Sequence, residues 1–276
     1  MGLLIVLAGA TLMALLGAMD DIRGLEPRTR FGSGLLISGT TAACALFTAG
    51  YTGPMTILGV LLLTLWLAGS SNAMNMLDGL DGLAAGVTAI AAAAIGTIAL
   101  LAHNHTCVVL AFSLAGACAG FLRYNFRPAS TFMGDVGSLF LGFTLASLVL
   151  LLLRGVGESR SIASVVVAAM LATGVPIGDM VLAMVRRFLN HKPLFQGDRS
   201  HSYDQLRDRF GFSVVKTVLI CYLAGLLLGA VAVGISLQSP WSAVAATLIV
   251  IMALAAILIR GGFLYIPPTD SSRSAY

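Results

Sequence analysis

The sequence predicts an all-α polytopic membrane protein with about nine transmembrane helices, and three observations carry that prediction. Only 10% of its 276 residues are charged while 58% are hydrophobic, whereas a soluble domain carries about 25% charged residues. The mean hydropathy is +0.95. The apolar residues also fall into runs near the ~20 residues that a helix needs to cross the hydrocarbon core. Such runs must be helices, because isolated strands cannot satisfy their backbone groups in lipid.

The elements follow in order. Met1 opens directly into a first apolar run, 2–19, with no basic leader and no small-residue cleavage site before Asp20. That start argues against a removable signal peptide. Further spans are expected at 34–50, 54–70, 83–102, 106–122, 136–153, 161–182, 214–237 and 241–259. The polar segments between them, at 20–33, 71–82, 123–135 and 183–213, belong to one integral membrane domain covering 1–276. Basic residues set the orientation. These segments, with Lys216 and the tail after 259, hold fourteen of the sixteen Lys and Arg residues, and only Arg154 and Arg160 fall on the other side. The bias predicts that these loops and the C-terminus are cytoplasmic, with the N-terminus outside. The protein is therefore expected in the plasma (inner) membrane, with its polar face toward the cytoplasm.

Composition also excludes classes. The formal charge of +4 comes from loop residues, so it speaks for membrane orientation and against a nucleic-acid footprint. Cys44, Cys107, Cys118 and Cys221 lie in or beside apolar runs without C-x-x-C spacing and read as reduced, small apolar fillers. No P-loop, dinucleotide fingerprint, H-E-x-x-H or G-x-S-x-G is present, so those nucleotide-binding, zinc and serine-nucleophile chemistries lack support.

The acidic residues also gather on the predicted cytoplasmic side, although acidic groups obey no orientation rule. In Asn72-Ala-Met-Asn75-Met-Leu-Asp78-Gly-Leu-Asp81-Gly82, two amides and two carboxylates recur every three residues, which on a helix places neighbours on one face. Such an oxygen-rich set suits a hard cation, Mg2+ above all. Asp20 and Asp21 are adjacent at the end of the first span and repel unless cations or basic groups offset them. Phe132-Met-Gly-Asp135-Val-Gly-Ser138 joins a carboxylate to free N–H groups at a helix start, the arrangement of an ordinary N-cap or of an anion site. Asp179 lies one turn inside a span with Arg186 two turns on, which leaves both a structural ion pair and a substrate role open. In the most polar loop, Asp198-Arg199-Ser-His201-Ser-Tyr203-Asp204 offers basic groups for phosphate and a histidine able to exchange a proton.

Asp20-Asp21, N-A-M-N-M-L-D-G-L-D-G, F-M-G-D-V-G-S, P-I-G-D and D-R-S-H, taken in this order, resemble the polyprenyl-phosphate N-acetylhexosamine-1-phosphate transferases of glycosyltransferase family 4. The resemblance runs from about residue 3 to 215. It implies transfer of a sugar-1-phosphate from a UDP-sugar to a polyprenyl phosphate such as undecaprenyl phosphate, releasing UMP and starting a cell-envelope glycan. It further implies that Asn75 and Asp135 hold Mg2+, with Mn2+ as the alternative ion. Asp20 and Asp21 would prepare the lipid phosphate, and Asp78 would support the metal–phosphate network. Asn72, Asp81, Asn125 and Phe132 would contact substrate, the last three at the uridine, while Arg199 and His201 would face the diphosphate or sugar. Homodimerisation is left open.

Two departures from the family pattern stand out. Its members usually carry one or two more helices before the paired aspartates. Their H-x-H-H pattern reads His201-Ser-Tyr203-Asp204 here, which points toward branches that start O-antigen or other surface glycans. The phospho-MurNAc-pentapeptide transferase is the alternative within the family. An ion-coupled transporter is the alternative outside it, disfavoured because the carboxylates lie at one surface and no repeat halves are evident.

Overall fold

A computed structural model describes residues 2–152, 161–191 and 201–264, which are helical and without strands. The elements are α1 (Gly2–Arg23), α2 (Pro27–Thr48), α3 (Met55–Leu77), α4 (Leu83–Leu101), α5 (His105–Asn125), α6 (Gly134–Leu152), α7 (Ile162–Ala172), α8 (Gly174–Leu189), α9 (Ser202–Asp208), α10 (Val214–Ile235) and α11 (Pro240–Arg260). Among the described residues, eight helices are long and apolar enough to cross a membrane. They become nine if the bent pair α7–α8 counts as one span.

Helix ends are set by local chemistry. Pro27 opens α2 at a position where its missing N–H costs nothing. Asn104, Ser213 and Ser239 accept first-turn N–H groups at the starts of α5, α10 and α11. The expected span 161–182 is broken: α7 and α8 meet at 69°. Pro176 has no N–H to offer the carbonyl of Ala172, four residues back, and its ring crowds that carbonyl, which favours a kink or break at this point.

The helices also run further into the polar segments than the hydropathy pattern predicts. Only residues 24–26 separate α1 from α2, so Asp20 and Asp21 sit on a helix and not in a loop. Asn72 and Asn75 likewise belong to the last turns of α3, and α8 and α9 occupy much of 183–213. Apolarity marks where lipid ends; hydrogen bonding lets a helix continue past that boundary.

α4 and α6 form the buried centre. Both are rich in small residues, which allow the close backbone approach that holds membrane helices together. A Cβ at Gly142 would strike the backbone of α3 at Ser70 and Ser71, and one at Gly17 would strike the backbone of α6 at Asp135. α3 and α11 turn Ile57, Leu61, Leu65, Ile249, Met252 and Ile257 outward, an apolar exterior suited to lipid. Of the four cysteines, Cys107 and Cys118 are buried fillers, while Cys44 is exposed.

Candidate active site

The C-terminal ends of α1, α3 and α5 and the N-terminal ends of α4, α6 and α9 meet at one end of the bundle. Hydrogen bonds that bridge those ends define the site. Arg30 Nη1, in the first turn of α2, lies 2.8 Å from Asp20 Oδ2 and 2.7 Å from Asp135 Oδ2. Asp20 is 8% exposed, and its second oxygen accepts the Leu25 N–H at 2.7 Å. Asn75 Nδ2 donates to Asp135 Oδ1 at 2.7 Å and to Ser138 Oγ at 2.9 Å. One guanidinium thus joins carboxylates 115 residues apart in sequence, Asp20 and Asp135, and the Asn75 amide ties the second of them to α3.

Asp21 has a different place. Its two oxygens accept the N–H groups of Asp135 at 3.0 Å and Val136 at 3.1 Å. It therefore caps α6 from a neighbouring helix, satisfying donors that a helix start leaves open. Gly134 makes the approach workable: its φ is +63°, and a Cβ there would meet the Asp21 carboxylate.

Asp78 ends α3 as its C-cap. Burial, reinforced by the negative charge of Asp135, pushes its carboxyl up to about 7. Asp78 also adds to the field on Tyr203, whose phenol is driven upward first by burial and then by Asp204, Asp179 and Asp78. Asp78 thus lies within electrostatic reach of both the Asp135 cluster and α9.

A second polar group is built from α8 and α9. His201 Nδ1 is 2.7 Å from Asp179 Oδ2, and Ser202 N donates to Asp179 Oδ1 at 2.7 Å. Both side chains are buried. An Nδ1–H donated to the carboxylate leaves Nε2 as the ring atom that can exchange a proton. Of the two readings left open for Asp179, the ion pair with Arg186 is not what holds the carboxylate: among the described residues His201 does, and Arg186 Nε donates to the Phe263 carbonyl at 2.7 Å. Asp204 accepts the His201 N–H at 3.3 Å, and Tyr203 stacks on the His201 ring and donates to the Met76 carbonyl at 2.9 Å. Tyr203 thereby docks α9 on the end of α3.

The remaining predicted residues are spread around this end. Asp81 lies 3.7 Å from Arg127 and accepts the Ala129 N–H at 3.3 Å. Asn125 accepts the Gly82 N–H at 3.1 Å and donates to the Thr131 carbonyl at 3.0 Å. Its amide is thus engaged in shaping the loop that carries Phe132, whose ring is 75% exposed. Asn72 donates its amide to the Met76 thioether at 3.5 Å. Arg199 lies outside the described residues. Sequence reasoning gave no specific role to Arg30, Ser138 or Tyr203. The run Arg23, Arg28, Arg30 after two aspartates signalled that one of them is a counter-charge, but not which.

Among the described residues no three His, Cys, Asp or Glu side chains form a ready metal cage. The donors nonetheless fit Mg2+, which is commonly bound through one or two carboxylates plus substrate phosphates. Asp135 supplies such a carboxylate, Asn75 an amide oxygen after rotation of its terminal group, and Asp78 is a half-buried acid beside them.

The helix count and the apolar exterior define a polytopic membrane protein with a carboxylate cluster at one end, and sequence comparison gives the family. The model of glycosyl transferase family 4 matches residues 3–153, and the chain belongs to that family. A Bacillus subtilis protein named as a probable undecaprenyl-phosphate N-acetylglucosaminyl 1-phosphate transferase is 34% identical, over 86% of this chain and 66% of its own length. The decaprenyl-phosphate N-acetylglucosaminephosphotransferase of Mycobacterium tuberculosis is 33% identical, over 79% of this chain and 60% of its own. The phospho-N-acetylmuramoyl-pentapeptide-transferase of Enterococcus hirae is 34% identical over 54% of this chain and 52% of its own. The chain spans about half to two thirds of the length of these curated relatives.

Proposed function

We propose that this protein transfers N-acetylglucosamine-1-phosphate from its UDP conjugate to a polyprenyl phosphate, releasing UMP, at the cytoplasmic face of the plasma membrane. The observation that carries this reading is the convergence of Asp20, Asn75 and Asp135 on one patch through Arg30, where polar helix ends meet the lipid-facing bundle. An oxygen of the lipid phosphate attacks the β-phosphorus of the UDP-sugar. A P–O bond forms there, the bond to the oxygen bridging to the α-phosphorus breaks, and UMP departs with that oxygen.

Arg30, held by two carboxylates, presents a fixed positive charge to the phosphate groups. Asp20 orients Arg30 and stands where it can accept a proton from the lipid phosphate. Asp135 and Asn75 would hold Mg2+, and a bound Mg2+ neutralises the diphosphate and the leaving UMP. Asp78, poised near neutrality, completes the charge balance beside them. His201, oriented by Asp179, offers Nε2 to the diphosphate. At the nucleoside end, the exposed Phe132 ring stacks on the uracil, with Asp81 and the Asn125-braced loop beside it.

The names of the first two relatives support N-acetylglucosamine as the sugar. Tyr203 and Asp204, which replace histidines of the family pattern, serve here to fasten α9, and this favours that branch over the pentapeptide enzyme. The test is UMP release from a panel of UDP-sugars with undecaprenyl phosphate and Mg2+. Release from UDP-N-acetylglucosamine is expected. Release only from the UDP-MurNAc-pentapeptide would replace the substrate assignment, and none from any donor would overturn the reading.

A further inference from the structure

We propose that the turn at 261–264, just past α11, is a clasp that positions the His201–Asp179 pair; the claim rests on the functional reading above. The turn lies outside every motif that points to the site. Side chains of both helices that carry the pair nevertheless hold its carbonyl groups. From α8, Arg186 Nε donates to Phe263 O at 2.7 Å, and Asn190, the residue after α8, donates Nδ2–H to Leu264 O at 3.5 Å. From α9, Gln205 Nε2 donates to the same Phe263 O at 3.2 Å. Arg209, the residue after α9, donates to Gly261 O at 3.2 Å and Gly262 O at 2.8 Å. The rings of Phe210 and Phe263 stack at 5.7 Å.

The Phe263 carbonyl is therefore shared between α8, which carries Asp179, and α9, which carries His201 at its N-cap. α9 has only seven residues, too few to hold its own orientation in water. Its place is fixed by Tyr203 at one end and by the clasp at the other. Gly262 has φ +72°, a conformation that favours glycine, and the Arg209 guanidinium lies close over it. α11 itself is almost wholly exposed along its length. Its cytoplasmic end is where a lipid-facing helix is wired to the site.

Arg209 is thus a positioning residue, and the experiment reads two signals in the purified full chain. The first is hydrogen–deuterium exchange of residues 202–208, which does not depend on turnover. The second is kcat for UMP release in a double-mutant cycle with His201→Ala. Arg209→Ala is expected to speed exchange in α9 and to lower kcat about five- to tenfold, the scale of one or two lost charge-assisted hydrogen bonds, with KM for the UDP-sugar within about twofold. Arg209→Lys should recover more than half of the rate, since Lys can still reach one carbonyl. On the His201→Ala background, Arg209→Ala should cost nothing further. Arg207→Ala, exposed two residues before it, should match the wild type in both signals. Unchanged exchange in Arg209→Ala, or an equal loss with and without His201, would overturn the clasp. If the wild type released no UMP, the functional reading would fail while exchange still decided the clasp.

Discussion

The Asp20–Arg30–Asp135–Asn75 cluster and the Asp179–His201 pair use similar groups on unlike scaffolds. The first draws on the ends of long helices, α1, α2, α3 and α6, that pack along much of the bundle, and its charged groups are partly open: Arg30 and Asp135 keep about a quarter of their side-chain surface, at 28% and 27%. The second joins a broken helix to a seven-residue one and is 7% exposed on each side. Rigid, half-open acids suit a place where an ion and a phosphate arrive and leave. A buried pair on a short element suits the fixed orientation of one ring, and it depends on whatever holds that element. The two regions should therefore fail differently.

The largest expected effect is on chemistry at the first region. Asp135→Ala should lower Mg2+-dependent UMP release by about a thousandfold or more, since it removes charge stabilisation in the transition state. Membrane insertion, followed by extraction and monodispersity in detergent, should be unchanged, because the helix ends keep their packing. Full activity in this variant would break the assignment of the metal to this region.

A pH profile separates the regions next. The Asp78 carboxyl has an ordinary value of 3.8 and sits at about 7 in the folded chain. Its folded form therefore binds the proton more tightly than the unfolded one. The resulting stability is complete below pH ~4 and is lost as pH rises through about 7. In EDTA, the thermal midpoint should fall between pH 5 and 8, and Asp78→Asn should remove that part of the fall. Mg2+ should flatten it too, by favouring the ionised form. A wild-type profile identical to that of Asp78→Asn would remove Asp78 from the network.

Breaking the second region should lower stability as well as rate. His201→Ala leaves the Asp179 carboxylate buried with only the Ser202 N–H. Losing such a partner costs about 2–3 kcal/mol. Asp179→Asn in the same chain should return part of it, because an amide tolerates burial better than an unpaired charge. Thermal unfolding in detergent measures both. Equal losses in the single and double variants would show that the pair is not coupled.

The same contrast explains what the sequence made legible. Acidic pairs and turns on one side of a hydropathy plot announced the first region, because carboxylates beside membrane spans are costly and need a shared reason. The convergence of Asp20, Asn75 and Asp135 followed from that. Arg30 as the bridging cation did not, since three arginines follow Asp21 within nine residues and only packing of α2 on α1 selects among them. Asp179 was recognisable as an ionisable group in a span, but helical spacing pointed to Arg186, two turns away. The actual partner, His201, comes from across a loop, and no periodicity reports a contact made by chain reversal. Helix ends were misjudged for a simpler reason: hydropathy falls at Asp20 and Asn72 while the backbone bonds continue to Arg23 and Leu77.

The smallest expected effect sharpens the division of labour inside the first region. Asp20 and Asp21 are neighbours, yet Asp20 faces Arg30 and Asp21 caps α6. Loss of a cap costs about 1–2 kcal/mol when alanine replaces the acceptor, so Asp21→Ala should lower the thermal midpoint by a few degrees. Asp21→Asn keeps one acceptor oxygen for the Asp135 and Val136 N–H groups and should lose less than half as much. Its UMP release should also stay above that of Asp20→Asn, which removes a charge that Arg30 needs. Activities that fall equally in Asp20→Asn and Asp21→Asn would mean that the second carboxylate acts on substrate directly, and that its hold on the start of α6 is incidental to the chemistry.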